Sequence, residues 1–493
     1  MLFNSLPYAI FLVIVFALHW LLPNRFRWIM LLIASYYFYM SWNPELVVLI
    51  ALTTLVSYSS GLLIEHYRNA EGSKTHLPKL FLVLALVICF GVLFFFKYFN
   101  FFSESVTALL RLFSLPAQAL TLKLVLPVGI SFYTFQTLSY VIDVYRGRIS
   151  AEKHLGYYAL YVSFFPQLVA GPIERSDNLI PQLRAVRTFD SSEGANGLKW
   201  IALGLFKKIV IADTLSVYAN TVYGNLATHH GLSFIIATLS FAIQIYCDFS
   251  GYSDIAIGSA KLLGVRLMKN FDSPYFSHSI REFWSRWHIS LSTWFRDYVY
   301  IPLGGNRTKL PRHLLNLMIT FLLSGLWHGA NWTFVCWGAL HGFYIVVETL
   351  FRKLVPHAAG RPQGSRFSGA LRSAGSIVLT FTLVCFAWVF FRADSIADAF
   401  YGLSHMFDGI ASPAQYVQEA ALQLGIDRFD LPIRLFPVVL LAVFDAFNRR
   451  KDAFAAISRW SPVFRWGVYL MLIWFILFFP GAGGGTEFIY FQF

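Results

Sequence analysis

At 493 residues, of which 57% are hydrophobic, 18% aromatic and only 13% charged, the chain is too apolar for a soluble fold, where about 25% of residues carry charge. Its mean hydropathy of +0.57 and its apolar runs of helical length make it an all-α polytopic membrane protein, since roughly 20 apolar residues make one crossing. The net charge of +13 lies mostly in loops between apolar runs, as the positive-inside rule expects, and gives no support to nucleic-acid binding.

The N-terminus lacks a charged n-region and a small-residue cleavage site, so Leu2 to Leu22 reads as a retained first span, closed by Pro23. Trp28 to Met40 and Leu46 to Ile64 form a hairpin around Trp42-Asn43-Pro44-Glu45. Leu80 to Phe102 crosses next, followed by a weaker stretch to Leu120 that suits the membrane surface, and Leu124 to Tyr145 returns to Arg146 and Arg148. Placing the basic turns at Arg25, Lys74 and Arg146 in the cytoplasm puts the N-terminus outside.

Tyr157 to Ala170, stopped by Gly171-Pro172-Ile173-Glu174-Arg175, is short and returns to the basic side, which reads as a re-entrant segment and hints at a cavity. Gly197 to Tyr223 goes outward and Leu232 to Leu263 comes back, carrying Asp248 and Asp254. Six positions apart, these carboxylates point about 120° away from each other around a helix, so buried ion pairing is favoured over a shared acid pair.

Arg281 to Leu303 is too charged to face lipid and too apolar for a free loop, and a second pair of re-entrant half-helices resolves the conflict. Leu314 to Thr349 is long for one helix and short for two, with Gly325, His328 and Gly329 near its middle; a break there carries His328 inside the protein. Two histidines, His288 and His328, thus stand forty positions apart in apolar sequence, each directly after a tryptophan. A lone histidine in such a setting is more often structural. Two of them, among Arg281, Glu282, Arg286, Arg296 and Asp297, mark a candidate reaction centre, because each polar group carried into a membrane costs free energy and imidazole exchanges protons near neutral pH.

Arg352 to Arg372 is a basic cytoplasmic loop. Ser376 to Phe391 crosses outward, Ala393 to Asp430 is acidic and external, Leu435 to Phe447 returns, and Val463 to Pro480 crosses out again. Cys89, Cys247, Cys336 and Cys385 lie in separate apolar segments with no metal-ligand spacing and read as buried thiols, so no metal is expected. No Walker A sequence, G-x-S-x-G elbow or G-x-G-x-x-G is present. His229-His230 falls in an external turn, as solvated loop residues.

Q-I-Y-C-D-F-S-G-Y-S-D from Gln244, R-E-F-W-S-R-W-H from Arg281, Y-I-P-L-G-G-N-R from Tyr300, W-H-G-A from Trp327 and the terminal F-I-Y-F-Q-F resemble the membrane-bound O-acyltransferase (MBOAT) family over nearly the whole chain. Within it the sequence is similar to the bacterial branch that acetylates alginate, cellulose and other exported polysaccharides. The resemblance implies a single membrane domain over 1–493, with a core at 120–350 and C-terminal helices and aromatic tail at 373–493. It also implies a ring of tilted helices around a central tunnel in the bacterial inner membrane. His328 matches the family's essential histidine, and His288 stands where members carry histidine, asparagine or aspartate. The donor implied is cytoplasmic acetyl-CoA; the partners are extracytoplasmic O-acetyltransferases, with the exported polysaccharide as final acceptor. A D-alanyl or other acyl exporter for cell-wall polymers, a secondary transporter and a non-catalytic scaffold are the rival readings.

Glu487 to Phe493 places one phenol, Tyr490, among three phenylalanines. An interfacial aromatic anchor accounts for such an end. The pattern also resembles the C-terminal motif of the companion peptide in D-alanylation systems, which implies an acyl-relay role for Tyr490, with Gly481 to Gly485 as a flexible stem.

Overall fold

The computed structural model describes residues 1–70, 76–169, 171–354, 366–427, 430–479 and 488–489; Tyr490 and the glycine stem 481–485 lie outside the described residues. Among the described residues every regular element is a helix, and six segments are long and apolar enough to cross a membrane: Pro44–Asn69, Leu77–Leu112, Leu232–Leu262, Trp332–Leu354, Gly369–Arg392 and Leu431–Asn448. The chain is an all-helical multi-pass membrane protein. Its contacts group into two units, Met1–Ile201 with Ser253–Met268, and Ala202–Tyr252 with Lys269–Phe493.

The first unit contains α1 (Leu6–Leu21), α2 (Asn24–Met40), α3 (Val47–Asn69), α4 (Leu77–Leu93), α5 (Phe99–Leu112), α6 (Ile130–Tyr145), α7 (Leu155–Ser163), α8 (Phe165–Leu168), α9 (Ser176–Arg184) and the start of α10 (Ser191–Leu205). α1 begins where Ser5 Oγ accepts from Tyr8 N and Pro7 occupies the first turn, and it ends before Pro23, whose ring cannot continue a helix. α3 packs against α4, α6 and α7 through a seam of buried Thr53, Thr54, Ser57, Ser60 and Gly61. Their hydroxyls bond back to the helix or, as with Ser57, accept from Tyr158 Oη at 2.7 Å. Small residues of this kind let helices approach in a medium that offers no hydrophobic drive between them.

The structure sharpens the reading of this unit at three places. The weak stretch after Phe102 continues the preceding helix: a π turn at Phe94–Tyr98 carries α4 into α5, which ends at Leu112 rather than Leu120. The span expected at Leu124 to Tyr145 becomes helical only at Ile130, because Pro127 disfavours helical backbone before it and Gly129 takes a left-handed φ of 74°. Any Cβ at Gly129 would stand 2.7 Å from the Leu168 carbonyl. The short segment from Tyr157 is split into α7 and α8 at Phe164, with Tyr158, Leu160, Tyr161 and Val162 fully buried.

The second unit continues from α10 through a π turn at Phe206–Ala212 into α11 (Asp213–Tyr223), then takes α12 (Leu232–Leu262) as far as Tyr252. It resumes with α13 (Ile280–Arg286), α14 (Ile289–Phe295), α15 (Leu310–His328), α16 (Trp332–Leu354), α17 (Arg366–Arg392), α18 (Ile396–His405), α19 (Pro413–Leu424), α20 (Asp430–Asn448), α21 (Ala453–Ser458) and α22 (Pro462–Phe478). In its most apolar window α12 is 67% buried, against 17% for the α4–α5 segment, so α12 is an interior helix and α4–α5 turns its side chains to lipid. Of the four thiols Cys89, Cys247 and Cys385 are buried, while Cys336 on α16 is half-buried.

The central feature of this unit is two helix breaks. α13 and α14 are seven-residue stubs that meet at Trp287-His288, and α15 and α16 are antiparallel partners that meet at Gly329-Ala330-Asn331. Gly325 and Gly338 make the second pairing possible. A Cβ on Gly325 would lie 2.3 Å from the Phe334 carbonyl, and one on Gly338 would lie 2.4 Å from the Phe321 carbonyl.

Candidate active site

Both breaks deliver a histidine to the interior of the second unit, with His288 0% and His328 2% exposed. At the first, Ser279 caps α13 by accepting from Glu282 N at 3.2 Å, and the Glu282 carboxylate accepts from His278 N at 2.9 Å. The same carboxylate pairs with Arg286 and with Arg449, each at 3.0 Å, while Arg286 reaches Asp272 at 2.8 Å. The charges that made this stretch too polar for lipid therefore hold a short helix stub in place.

His288 then adopts φ 43°, ψ 55°, a left-handed conformation ordinarily left to glycine that costs on the order of 1–2 kcal/mol. Asn270 holds it there. The Asn270 carbonyl accepts from Ile289 N at 2.9 Å, and its side-chain Oδ1 faces His288 Nδ1 at 3.2 Å while accepting from Ser290 N at 3.1 Å and Ser290 Oγ at 2.9 Å. An amide oxygen only accepts, so Nδ1 carries the ring proton and Nε2 is the basic nitrogen of neutral His288.

At the second break, His328 is the last residue of α15, and its Nδ1 stands 2.7 Å from the Ser324 carbonyl one turn earlier. The same logic makes Nε2 its basic nitrogen. Asn331 opens α16 by accepting from Thr333 N at 3.0 Å and donates to the Asp394 carbonyl at 3.0 Å, so both sides of the break are anchored.

Tryptophans bridge the imidazoles. The His288 and Trp327 ring centroids are 5.9 Å apart, Trp327 and His328 5.0 Å, His328 and Trp337 4.8 Å, and Trp337 and His341 5.0 Å. His341, fully buried on α16, closes the row and accepts from Trp284 Nε1 at 3.2 Å on Nδ1. Its Nε2 and the Trp337 indole N–H have no hydrogen-bond partner among the described residues. Buried polar atoms of this kind call for a bonding partner from solvent or from a bound molecule.

A cavity of about 400 Å³ leads toward this row, lined at one end by Arg281, Arg296, Tyr300 and His313 and at the other by Phe321 and Ser324. From His313 to Ser324 is about 16 Å along α15 at 1.5 Å per residue. The deep end thus lies one turn from His328, and its wall includes the residue whose carbonyl orients that imidazole.

The structure brings His288 and His328 together and leaves Tyr490 outside the described residues. Asp248 is buried in an ion triad, its Oδ1 2.6 Å from Lys208 Nζ, which also reaches Asp213 at 2.9 Å, in line with the ion-pair reading. His229 and His230 occupy a turn far along the chain from the site, where His230 approaches Glu419 at 3.7 Å. Sequence reasoning missed Asn270 and His341: the first sits in an ordinary polar loop with no periodicity to mark it, and the second reads as one more polar residue on an apolar helix. Among the described residues no three His, Cys, Asp or Glu side chains gather as a metal site.

The model of the MBOAT, membrane-bound O-acyltransferase family, matches residues 150–370. Over 398 residues the chain is 42% identical to the probable alginate O-acetylase AlgI of Pseudomonas aeruginosa, covering 81% of this chain and 73% of that one. It is 36% identical over 405 residues to the peptidoglycan O-acetyltransferase of Helicobacter pylori, covering 76% and 73%. To the teichoic acid D-alanyltransferase of Bacillus subtilis it is 27% identical over 283 residues, covering 54% and 68%.

Proposed function

The chain belongs to the membrane-bound O-acyltransferase family and is a membrane-bound O-acetyltransferase, and from that premise we propose that it takes acetyl from cytoplasmic acetyl-CoA and passes it across the bacterial inner membrane for O-acetylation of an exported polysaccharide. The observation that carries this reading is the cavity that begins among Arg281, Arg296 and His313 and ends one turn from His328. Its Arg281 and Arg296 end suits phosphates, and its largely apolar lining suits a thioester arm. The α16 end beside it carries Arg352 and Lys353, the side that the positive-inside rule assigns to the cytoplasm.

His328 Nε2 removes the proton of the attacking hydroxyl as that oxygen bonds to the thioester carbonyl carbon. The carbon–sulfur bond then breaks, and the proton passes to the departing sulfur, so that CoA leaves as the thiol. His288 orients the acceptor or stabilises the developing charge. The attacking oxygen is Tyr490 Oη. A phenol suits a relay because its aryl ester is more activated than an alkyl ester, and the acetyl-tyrosine then hands its group to an extracytoplasmic transferase that acts on the polysaccharide.

Thiol release from acetyl-CoA by the purified protein tests the scheme. Losing a positioned base typically costs 10²- to 10⁴-fold, so His328→Ala should insert normally and lose acetyl transfer on that scale. Near-parental transfer by His328→Ala would remove the base assignment. Tyr490→Phe keeps the ring and removes the hydroxyl: a relay loses glycan acetylation at unchanged protein level, whereas an interfacial anchor retains it.

A further inference from the structure

Beyond the histidines, we infer that Asp248 is the seat of the C-terminal segment and thereby a positioning residue for acetyl transfer, an inference that rests on the relay reading of Tyr490. The observation is a hydrogen bond between distant parts of the second unit. Ile489 N donates to Asp248 Oδ2 at 2.8 Å, and both groups are buried.

Two features of the surroundings argue that this is a built seat. The first is charge. Lys208 serves two carboxylates, with Asp248 Oδ1 at 2.6 Å and Asp213 Oδ1 at 2.9 Å, and all three side chains are buried. The second oxygen of Asp248 is buried as well, where an acceptor left without a donor is costly. A backbone N–H from the tail supplies it. The π turn at Phe206–Ala212 places Lys208 on a widened helical turn, a distortion common at functional positions.

The second is continuity with the site. Phe488, 1% exposed, packs against Tyr252 at 4.7 Å and Phe249 at 5.6 Å between ring centroids, and Phe249 in turn meets His288 edge-on at 4.6 Å. The residue pair just ahead of Tyr490 is therefore gripped by a side-chain pocket and a backbone hydrogen bond one aromatic ring away from His288. An anchor adhering to an interface needs neither a buried carboxylate nor contact with the catalytic row.

Ile489→Pro removes the N–H and also fixes the local backbone and replaces the side chain; Ile489→Ala keeps the N–H and trims only the side chain. A charge-assisted hydrogen bond of this kind predicts an acetyl-transfer loss on the order of tenfold or more in Ile489→Pro beyond that of Ile489→Ala, with the melting temperature of the detergent-solubilised full chain unchanged. Asp248→Asn should also speed amide exchange of the C-terminal peptide.

Equal activity of Ile489→Pro and Ile489→Ala overturns the seat. The relay can fail separately. Should Tyr490→Phe prove active while Ile489→Pro stays impaired, the seat stands as part of the site wall and the relay falls; should Tyr490→Phe be inactive while Ile489→Pro matches Ile489→Ala, the relay stands and the seat falls.

Discussion

Asn270 never touches a reacting atom in the proposed chemistry, yet its removal should be among the more damaging substitutions in the chain. Its Oδ1 is shared by His288 Nδ1, Ser290 N and Ser290 Oγ, and Asn270→Ala deletes all three contacts. At about 1 kcal/mol net for each buried hydrogen bond the loss is on the order of 3 kcal/mol, and the left-handed backbone of His288 loses the support that holds it. If about 2 kcal/mol of this falls on the placement of the imidazole, the rate of acetyl transfer drops about 30-fold, while Asn270→Asp, which keeps an accepting oxygen, drops less. Thiol release from acetyl-CoA, normalised to monodisperse protein in detergent, is the assay. A transfer rate for Asn270→Ala within threefold of the parent, alongside an inactive His288→Ala, would show that His288 does not depend on this amide and refute the argument.

If His288 orients or stabilises rather than transferring the proton, His288→Asn should retain more acetylation than His288→Ala; equal inactivity of both alongside an active His328→Ala reverses the two roles. Arg281→Ala combined with Arg296→Ala should raise KM for acetyl-CoA several-fold with little change in kcat, since contacts to the donor's phosphates are the same in ground and transition states; a pure kcat effect in steady-state kinetics would dissociate the cavity from the donor. Gly325→Ala drives a Cβ into the Phe334 carbonyl, a backbone obstacle that only separation of α15 from α16 relieves. It should cost about 1–3 kcal/mol by thermal unfolding, whereas Gly369→Ala, with nothing within 4 Å, should not.

Much of the architecture was legible because the membrane imposes it. Runs of apolar residues had to be helices, and the one stretch both charged and apolar, Arg281 to Leu303, had to be broken and covered by protein, as α13 and α14 are. The break at His328 was legible for a related reason: Gly325, His328 and Gly329 interrupt a run too long for one helix. What stayed hidden is what depends on tertiary pairing. Nothing in a local window tells that α4 runs through a π turn into α5, or that Gly129 has to be left-handed because the Leu168 backbone lies against it. Asn270 was invisible because its role comes from a loop folding back on residues about twenty positions later. Lys208 escaped notice as well, since a lysine in a basic chain reads as surface charge until its two carboxylates are seen around it.

The three histidines of this row are not interchangeable, and their hydrogen bonds say why. His328 and His288 both direct Nδ1 at an oxygen that can only accept, so each neutral ring keeps its proton on Nδ1 and turns a basic Nε2 to its surroundings. His341 is the reverse: Trp284 donates to its Nδ1, so the neutral ring carries its proton on Nε2 and presents a donor. Within one row of rings, two members are therefore set to take a proton and the third to give a hydrogen bond. An acyl transfer needs both capacities at once, a base for the attacking hydroxyl and donors for the oxygen that gains charge as the thioester carbonyl is attacked. Aromatic rings separate the imidazoles, and apolar surroundings of this kind strengthen each of these bonds.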